Sequence, residues 1–432
     1  MSEVLDLVGI GIGPFNLSLA ALLDRVESGR SRFFERKGGF DWHAEVMFPD
    51  SVMQTSYLKD LVTPVDPTSP YSFLNYLVDR KLFYAFLNTQ RGVVSRREFE
   101  QYCQWVAAKL ERRLRFGIDV RAVDFDGSEF RVETSGGVQR AKHICVATGY
   151  APRIPDVARP HLGPRVFHAK SPELAKLRLD GRRVLVVGGG QTGIEVFRNA
   201  LLDRWGRAAD VQLVTRRSGL EPLDESAFTN EYFTPHYLDG FWGLASVAKA
   251  QVVASQKLAS DGNTPAYLLD LYNDLYRLKL VEGDPRGLGI LANRRLRAFD
   301  REGEAYRVRF DHAHGGDEET IVADVVILAT GFEARLPPVL EPLFPRLKLD
   351  GQGRFRFRKS YAVEWDGPDE NRIYALNYSR HEHGIADPQT SLMAWRAAVV
   401  VNDLMGRKVY DTDSPRQNFV EHAPRFAPKE TP

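Results

Sequence analysis

The feature that most constrains this chain is a glycine-rich turn between a short apolar run and an amphipathic helix, which occurs twice. The first copy follows residues 5–8 and the second follows residues 183–187. Strand, turn and helix in this order begin a doubly wound fold, whose turn lets the backbone approach a pyrophosphate at the helix N-terminus. The repeat therefore predicts an α/β fold with two Rossmann-like dinucleotide-binding domains.

The first turn departs from the standard pattern at one position. Asn16 stands where the third glycine of Gly-x-Gly-x-x-Gly is expected, and the turn itself contains Gly9, Gly11, Gly13 and Pro14. Glu35 ends the next short apolar run, where an acid can hold the hydroxyls of a ribose. We expect this turn to bind FAD. A tight turn with a purely structural role is the alternative.

The second turn is a complete match, with Gly188, Gly190 and Gly193, and Gln191 inside it. The strand that follows its helix ends in Arg216 and Arg217 instead of an acid. Arginine at this position suits the 2′-phosphate of NADPH, so we expect NADPH rather than NADH. The alternative is that both arginines are solvated surface charges.

Composition narrows the chemistry that the two turns can serve. The net charge of the 432-residue chain is +1, which gives no reason to expect nucleic acid as a partner. No apolar stretch approaches the roughly 20 residues that span a bilayer, and no signal peptide is evident, so we expect a cytoplasmic protein. Cys103 and Cys145 lie far apart and form no Cys-x-x-Cys, so we expect neither a metal site nor a disulfide reductase. A monooxygenase, an oxidase-like enzyme and a quinone-type reductase remain.

The order of the patterns predicts a discontinuous arrangement of domains. Between residues 221 and 280 the pattern is helical and rich in aromatic residues, which indicates a small segment on the substrate side. The expected units are an FAD-binding domain (1–165 and 341–410), an NADPH-binding domain (166–223 and 281–340), a helical substrate-side segment (224–280) and a flexible tail (411–432).

Five blocks of the sequence carry a family resemblance. They are FDWH at 40–43, MQTSYLKDLV at 53–62, PTSPYSFLNYL at 67–77, DESAFTNEYFTP at 224–235 and HGIADPQTSLMAWR at 383–396. These blocks resemble the siderophore-biosynthesis N-hydroxylating flavin monooxygenases, with the L-lysine N6-hydroxylases as the most similar branch and the ornithine and diamine N-hydroxylases next. Asn16 in place of the third glycine is also typical of that family.

The resemblance implies a reaction and an assembly. In this family NADPH reduces FAD, O₂ adds to give a C4a-hydroperoxyflavin, and one oxygen passes to the terminal primary amine of a small molecule for hydroxamate siderophore biosynthesis. The family also suggests a homo-oligomer, either a dimer or a tetramer. Two rivals remain open: another class B flavin monooxygenase, whose Phe-x-Gly-x-x-x-His signature does not fit residues 166–170, and a non-catalytic flavoprotein.

The resemblance also implies roles for individual residues. Lys59 and Asn230 are expected to hold the carboxylate and α-amino end of an amino-acid substrate. Gln54 is expected beside the flavin and the substrate, and Ser391 and Leu392 at the mouth of the site.

Trp42 and His43 belong to the block expected to contact FAD. The residue-level alternatives are a surface ion pair of Lys59 with Asp60 and a structural role for His43. For His383 and Asp387, a rigid loop competes with a catalytic pair.

The choice of amine stays open at this point. The lysine branch can carry Asp where Asn230 stands, whereas ornithine enzymes carry Asn. The diamine branch often lacks the lysine, so Lys59 favours an amino acid over a diamine. L-lysine is therefore the first expectation, with L-ornithine and putrescine or cadaverine as alternatives.

Overall fold

The computed structural model describes residues 4–26, 30–316, 318–414 and 419–422. The strands are β1 (Val4–Ile10), β2 (Ser31–Glu35), β3 (Leu114–Phe116), β4 (Val120–Phe125), β5 (Phe130–Thr134), β6 (Gly137–Val146), β7 (Ala151–Pro152), β8 (Val166–His168), β9 (Arg183–Val187), β10 (Asp210–Val214), β11 (Gly287–Leu291), β12 (Arg294–Glu302), β13 (Ala305–His312), β14 (Glu319–Ala323), β15 (Val325–Leu328), β16 (Phe332–Glu333) and β17 (Ile373–Ala375).

The α-helices are α1 (Pro14–Asp24), α2 (Phe73–Asp79), α3 (Phe83–Asn88), α4 (Arg96–Lys109), α5 (Gln191–Leu201), α6 (Ala227–Asn230), α7 (Pro235–Trp242), α8 (Ser246–Ser255), α9 (Lys257–Asp261), α10 (Pro265–Tyr276), α11 (Arg380–His383) and α12 (Met393–Met405). Short 3₁₀-helices, the longest of them Pro338–Arg346, connect several of these elements, and α10 continues into a π-helical turn, Arg277–Val281.

The first sheet contains the first glycine-rich turn. Its strand order is β3-β2-β1-β6-β5-β4, and β17 also pairs with β6. Strands β1, β2, β3, β6 and β17 run parallel, whereas β4 and β5 form an antiparallel extension. Strand β1 therefore lies at the centre of the sheet, and the turn that follows it meets the carboxyl ends of its parallel neighbours. In open α/β sheets this is the edge at which ligands bind.

The second sheet contains the second turn and is wholly parallel, in the order β11-β10-β9-β15-β8. Its strands β9 and β15 are almost completely buried, as expected when helices or other layers cover both faces. A three-stranded antiparallel sheet, β12-β13-β14, follows β11 in the chain. The short pair β7–β16 joins the segments that leave β6 and β15, so it links the two nucleotide-binding halves.

The strands of the first sheet fall within the ranges expected for the FAD-binding domain, and those of the second within the ranges expected for the NADPH-binding domain. Helices α6 to α10 occupy most of the segment between β10 and β11. The boundaries between independent domains stay a prediction.

Two pieces of the segment expected to be a flexible tail pack against the body. The Trp395 indole N–H donates to the Thr412 carbonyl oxygen at 3.0 Å, and the His422 ring meets the Tyr237 ring edge-on at 4.8 Å. Residues 411–414 and 419–422 thus include contacts with the body through a hydrogen bond and ring packing, and the flexibility of the tail stays a prediction. The rest of the expected tail lies outside the described residues.

Helices across the described ranges are all too short or too polar to cross a membrane.

Candidate functional site

The first turn leaves a space at the N-terminus of α1. Gly11 has a positive φ of 86°, and a Cβ there would lie 2.7 Å from the Ala147 carbonyl oxygen, so only glycine fits. Gly13 is the N-cap of α1, and nothing lies within 4 Å of the position of a Cβ on it. No packing contact therefore requires glycine at position 13. The open space above the free amides of α1 suits the close approach of a pyrophosphate.

Gly9 has a different explanation. A Cβ on Gly9 would lie 2.0 Å from the Phe33 ring, so this glycine lets β2 pack against β1. The packing of the two strands is sufficient to require glycine at position 9, and contact of Gly9 with a cofactor stays a prediction.

Asn16, which stands where the third glycine is expected, forms hydrogen bonds with the backbone of the turn. Its side chain is fully buried, and its amide donates to the Gly11 carbonyl oxygen at 2.8 Å and the Ile10 carbonyl oxygen at 3.3 Å. The Cys145 thiol donates to the side-chain amide oxygen of Asn16 at 3.2 Å, which ties the turn to β6. Cys103 and Cys145 are both free and buried.

Glu35 lies across the first turn, at the end of β2. Its carboxylate accepts from the Ile12 amide at 3.0 Å and from the Lys37 amide at 3.1 Å. The carboxylate therefore reaches the turn itself, where an acid can hold ribose hydroxyls.

The second turn repeats this geometry at its helix and differs at its third position. Gly190 caps α5 with φ −91° and ψ 178°, close to the −91° and −177° of Gly13, and nothing lies within 4 Å of its Cβ position. Gly188 has φ 131°. A Cβ on Gly193 would lie 1.9 Å from the Gly188 carbonyl oxygen. Here the helix and strand are too close for any side chain, whereas the first turn accommodates Asn16.

The structure separates the two arginines after β10. The Arg217 guanidinium donates to the Asp261 carbonyl oxygen at 3.3 Å and pairs with Glu221 at 3.1 Å. Arg216 is exposed and forms no hydrogen bond or ion pair within the described ranges. Arg217 therefore fastens the loop before α10, and contact of either arginine with a 2′-phosphate stays a prediction.

A chain of hydrogen bonds joins the second turn to the block at 53–62. Gln191 donates through Nε2 to the Glu195 carboxylate at 2.9 Å and accepts at Oε1 from the Thr264 amide at 2.8 Å. Gln54 in turn donates to the Thr264 hydroxyl at 3.2 Å. Sequence analysis singled out Gln54 and Gln191 but not Glu195 or Thr264, which lie between them.

Lys59 is a partly buried cation without a counterion among the described residues. The neighbouring Asp60 carboxylate is buried and accepts from the backbone amides of Val62, Thr63 and Phe73 at 2.6–2.9 Å. The surface ion pair of Lys59 with Asp60 is therefore not formed. Burial lowers the pKa of Lys59, as it does for any ammonium group removed from water.

One hydrophobic core brings the family blocks together. It contains Met53 and Leu61 from the second block, Phe233 from the fourth, and Leu392 and Met393 from the fifth. Asn230 is exposed at the end of α6, where its amide donates to the Glu225 carbonyl oxygen at 3.3 Å. Ser391 is partly exposed in the 3₁₀ turn before α12.

The loop before α12 is rigid. The fully buried Arg396 pairs with Asp387 at 2.7 Å, and its guanidinium stacks over the Phe15 ring beside the first turn at 4.2 Å. His383 instead stacks on Tyr361 at 4.0 Å and contacts the Lys359 carbonyl oxygen. The Asp387 carboxylate accepts from Arg396 and from the Ser379 amide, so the contacts favour a structural loop over a catalytic pair of His383 and Asp387.

His43 is a neutral residue between the two nucleotide-binding halves. Its Nδ1 accepts from the Lys170 ammonium at 3.0 Å, and burial together with the Lys170 charge lowers the pKa of His43 to about 3. The Trp42 ring packs on His43 at 5.0 Å, and the Trp42 amide donates to Glu100. These contacts give His43 a structural role at the junction, and contact of Trp42 or His43 with FAD stays a prediction.

Across the described ranges no group of His, Cys, Asp or Glu side chains is arranged to hold a metal ion.

Comparisons with known proteins agree with this architecture. Residues 3–334 match the family described as L-lysine 6-monooxygenase/L-ornithine 5-monooxygenase. The chain is 42% identical over 417 residues to the L-lysine N6-monooxygenase of Escherichia coli, covering 96% of this chain and 98% of that protein.

Two solved structures share the fold. The cadaverine monooxygenase DfoA of Erwinia amylovora, bound to FAD, matches with a TM-score of 0.88 and 28% identity, over 97% of this chain and 99% of that one. The ornithine N-hydroxylase of Kutzneria sp. 744, with reduced FAD, NADP⁺ and L-ornithine, matches with a TM-score of 0.85 and 27% identity, over 94% and 100%.

These matches confirm the predicted α/β fold, and the ligands of the two structures agree with FAD and NADP as the expected cofactors. The family match confirms the resemblance that the five sequence blocks carry. The chain therefore belongs to the L-lysine 6-monooxygenase/L-ornithine 5-monooxygenase family and is an N-hydroxylating monooxygenase.

Proposed function

We propose that this protein catalyses the NADPH- and O₂-dependent N-hydroxylation of the terminal amine of L-lysine. The reaction consumes the amine, O₂, NADPH and a proton, and gives the N-hydroxylamine, water and NADP⁺. The product would serve the biosynthesis of a hydroxamate siderophore. The name of the Escherichia coli relative supports lysine.

The observation that carries the choice of an amino acid is the state of Lys59. Its ammonium group is partly buried and unpaired within the described ranges, while the adjacent Asp60 carboxylate is committed to backbone amides. A buried cation needs a counterion, because desolvation penalises an isolated charge. The carboxylate of an amino-acid substrate supplies that counterion, and a diamine cannot.

The residues at the two turns fit the two cofactors. The open space above Gly13 and the Glu35 carboxylate suit the pyrophosphate and ribose of FAD. The open space above Gly190 and the free Arg216 side chain suit NADPH with its 2′-phosphate. When bound, reduced FAD activates O₂, and NADPH provides the reducing equivalents. The protein contributes orientation of the amine and exclusion of water.

The reacting amine must be neutral. A lysine side-chain amine has an ordinary pKa of about 10.4, so deprotonating it at pH 7 costs about 4–5 kcal/mol unless the pocket lowers that pKa. We therefore expect hydroxylation to accelerate between about pH 7 and 9, while flavin reduction changes less. A hydroxylation rate that stays flat over this range, with oxygen transfer rate-limiting, would count against a free amine nucleophile.

Replacement of Lys59 tests the proposal. Lys59→Met deletes the charge and keeps an unbranched apolar chain, and Lys59→Ala also removes that chain. Loss of one charge-assisted contact of about 1.5–3 kcal/mol should raise the KM for L-lysine roughly ten- to a hundredfold. Flavin content and NADPH affinity should stay near normal. Activity on cadaverine should persist, because cadaverine has no carboxylate to lose.

The substrate is identified by comparing hydroxylamine formation with four amines: L-lysine, L-ornithine, putrescine and cadaverine. A wild-type preference for L-ornithine would overturn the proposal that L-lysine, with its longer side chain, is the substrate. Asn230 would then place the protein in the ornithine branch of the family. A preference for a diamine, together with equal weakening of amino acid and diamine by Lys59→Ala, would make Lys59 structural. Assembly into a dimer or tetramer stays a prediction for size-exclusion chromatography.

A further inference from the structure

Glu195 is a buried carboxylate one helical turn beyond the second glycine-rich turn. It lies on α5, four residues after Gln191, and its side chain is completely inaccessible to solvent. An acidic side chain is rarely buried in this way unless other groups compensate its charge and its hydrogen-bonding capacity. Its contacts therefore indicate what it is for.

The two carboxylate oxygens of Glu195 have different partners. One accepts from the Arg96 guanidinium at 3.1 Å, and Arg96 is the first residue of α4, whose core lies with the first sheet. The other accepts from the Gln191 side-chain amide at 2.9 Å. Glu195 therefore joins the two nucleotide-binding halves and also contacts the first residue of the NADPH helix.

The contact with Glu195 fixes which way the Gln191 amide points. Because its nitrogen donates to Glu195, its oxygen is left to accept from the Thr264 amide at 2.8 Å. The Thr264 hydroxyl then accepts from Gln54 at 3.2 Å. Four residues thus form one continuous chain of hydrogen bonds, which passes through the backbone amide and the hydroxyl of Thr264, from a buried carboxylate to the block that carries Lys59.

We propose that Glu195 is a positioning residue for the reaction. It holds Gln191, Thr264 and Gln54 in their relative positions. In this way it fixes the second glycine-rich turn, which is expected to bind NADPH, relative to the flavin side of the site. The proposal rests on the proposed function, because it gives the chain a nicotinamide and a flavin to align. A glutamine at position 195 cannot replace the carboxylate. In glutamine a donating NH₂ group takes the place of one carboxylate oxygen and faces the donor of either Arg96 or Gln191, so one of the two contacts is lost.

The test is Glu195→Gln, with Asp284→Asn as the matched control. Asp284 pairs with Arg286 at 2.7 Å in a similarly buried ion pair of the NADPH half, and it takes no part in the chain from Glu195 to Gln54. Purified holoenzymes are compared for hydroxylamine and hydrogen peroxide formed per NADPH consumed, and for NADP⁺ affinity by fluorescence titration.

We expect Glu195→Gln to raise the peroxide fraction and the NADP⁺ dissociation constant about two- to tenfold, the range for one lost hydrogen bond. Flavin content and the KM for L-lysine should change less than about twofold, and Asp284→Asn should leave the peroxide fraction unchanged. In the double variant Gln54→Ala/Glu195→Gln, the fold increase of the peroxide fraction should be smaller than the product of the fold increases in the two single variants. The reason is that both substitutions act on the same chain of hydrogen bonds.

Other outcomes overturn the inference. If Glu195→Gln lowers only the melting temperature, or if Asp284→Asn raises the peroxide fraction equally, Glu195 is a structural ion-pair residue. Independent effects of the Gln54 and Glu195 substitutions would break the link between them. If the wild-type protein itself forms no hydroxylamine from any of the four amines, the proposed function fails instead.

Discussion

The two arginines after β10 offer a test in which adjacent residues of the same type should behave differently. Arg217 donates to the Asp261 carbonyl oxygen and pairs with Glu221, whereas Arg216 extends into solvent without such a contact in the described ranges. Arg216→Ala therefore removes no contact among the described residues, and it removes only the charge that a bound 2′-phosphate would have contacted. Arg217→Ala removes contacts that exist before any ligand binds.

The contacts give the magnitude of each effect. A charge-assisted contact with phosphate contributes about 1.5–3 kcal/mol, and solvent screening at an exposed arginine favours the lower end. Arg216→Ala should therefore raise the KM for NADPH about tenfold and leave the KM for NADH nearly unchanged. Arg217→Ala should lower the free energy of unfolding by about 1–2 kcal/mol, from its backbone contact and its partly exposed ion pair.

Steady-state oxidation of NADPH and NADH, together with urea unfolding of each variant, separates the two roles. Arg216→Lys is the conservative control and should recover part of the preference for NADPH. If Arg216→Ala raises both KM values equally, the assignment of the 2′-phosphate to Arg216 is wrong. If only Arg217→Ala loses selectivity, the contacts with Asp261 and Glu221 rearrange on binding and the reasoning fails.

Three further predictions follow from the first turn and from Lys59. Gly13→Ala should lower the flavin content of the purified protein without changing the melting temperature of the flavin-free form. Gly9→Ala should instead lower that melting temperature, because it forces a methyl group to 2.0 Å from the Phe33 ring. The reverse pattern would contradict the roles assigned to the two glycines. Asn16→Ala should reduce the unfolding free energy of the flavin-free protein by about 2–4 kcal/mol, because the carbonyl oxygens of Ile10 and Gly11 lose their donor. A loss below about 1 kcal/mol, measured by urea unfolding, would refute this prediction. Burial lowers the pKa of Lys59, so its charge is lost at a lower pH than that of an exposed lysine. The KM for L-lysine should therefore rise with increasing pH before an exposed lysine would titrate, while that for cadaverine does not; parallel profiles would exclude Lys59 as the carboxylate partner.

The nucleotide-binding architecture could be predicted because its determinants are local. Each turn lies within a few residues of its strand and helix, so the glycine spacing and the apolar runs indicate both halves of the fold. Asn16 also illustrates the limit of spacing alone. Only the structure explains why Asn fits there and why Gly193 cannot be replaced, since the difference depends on how closely each helix approaches its strand.

The chain of contacts around Glu195 could not be predicted in the same way. Arg96 and Glu195 are 99 residues apart, and Gln54 and Thr264 are 210 apart, so no periodicity relates them. The antiparallel sheet β12–β14 was also not predicted, although β12 and β13 alternate charged and apolar residues and Gly303 lies in the turn between them. Long-range pairing of polar groups depends on the assembled fold and leaves little trace in one sequence.

The burial of both cysteines has a consequence for an enzyme that handles oxygen. Cys103 and Cys145 are inaccessible to solvent, and burial raises the pKa of each thiol well above its ordinary value. Peroxide attacks the thiolate form of cysteine, and it must reach the sulfur to do so. Burial therefore makes both sulfurs poor targets for any hydrogen peroxide that turnover releases in place of product.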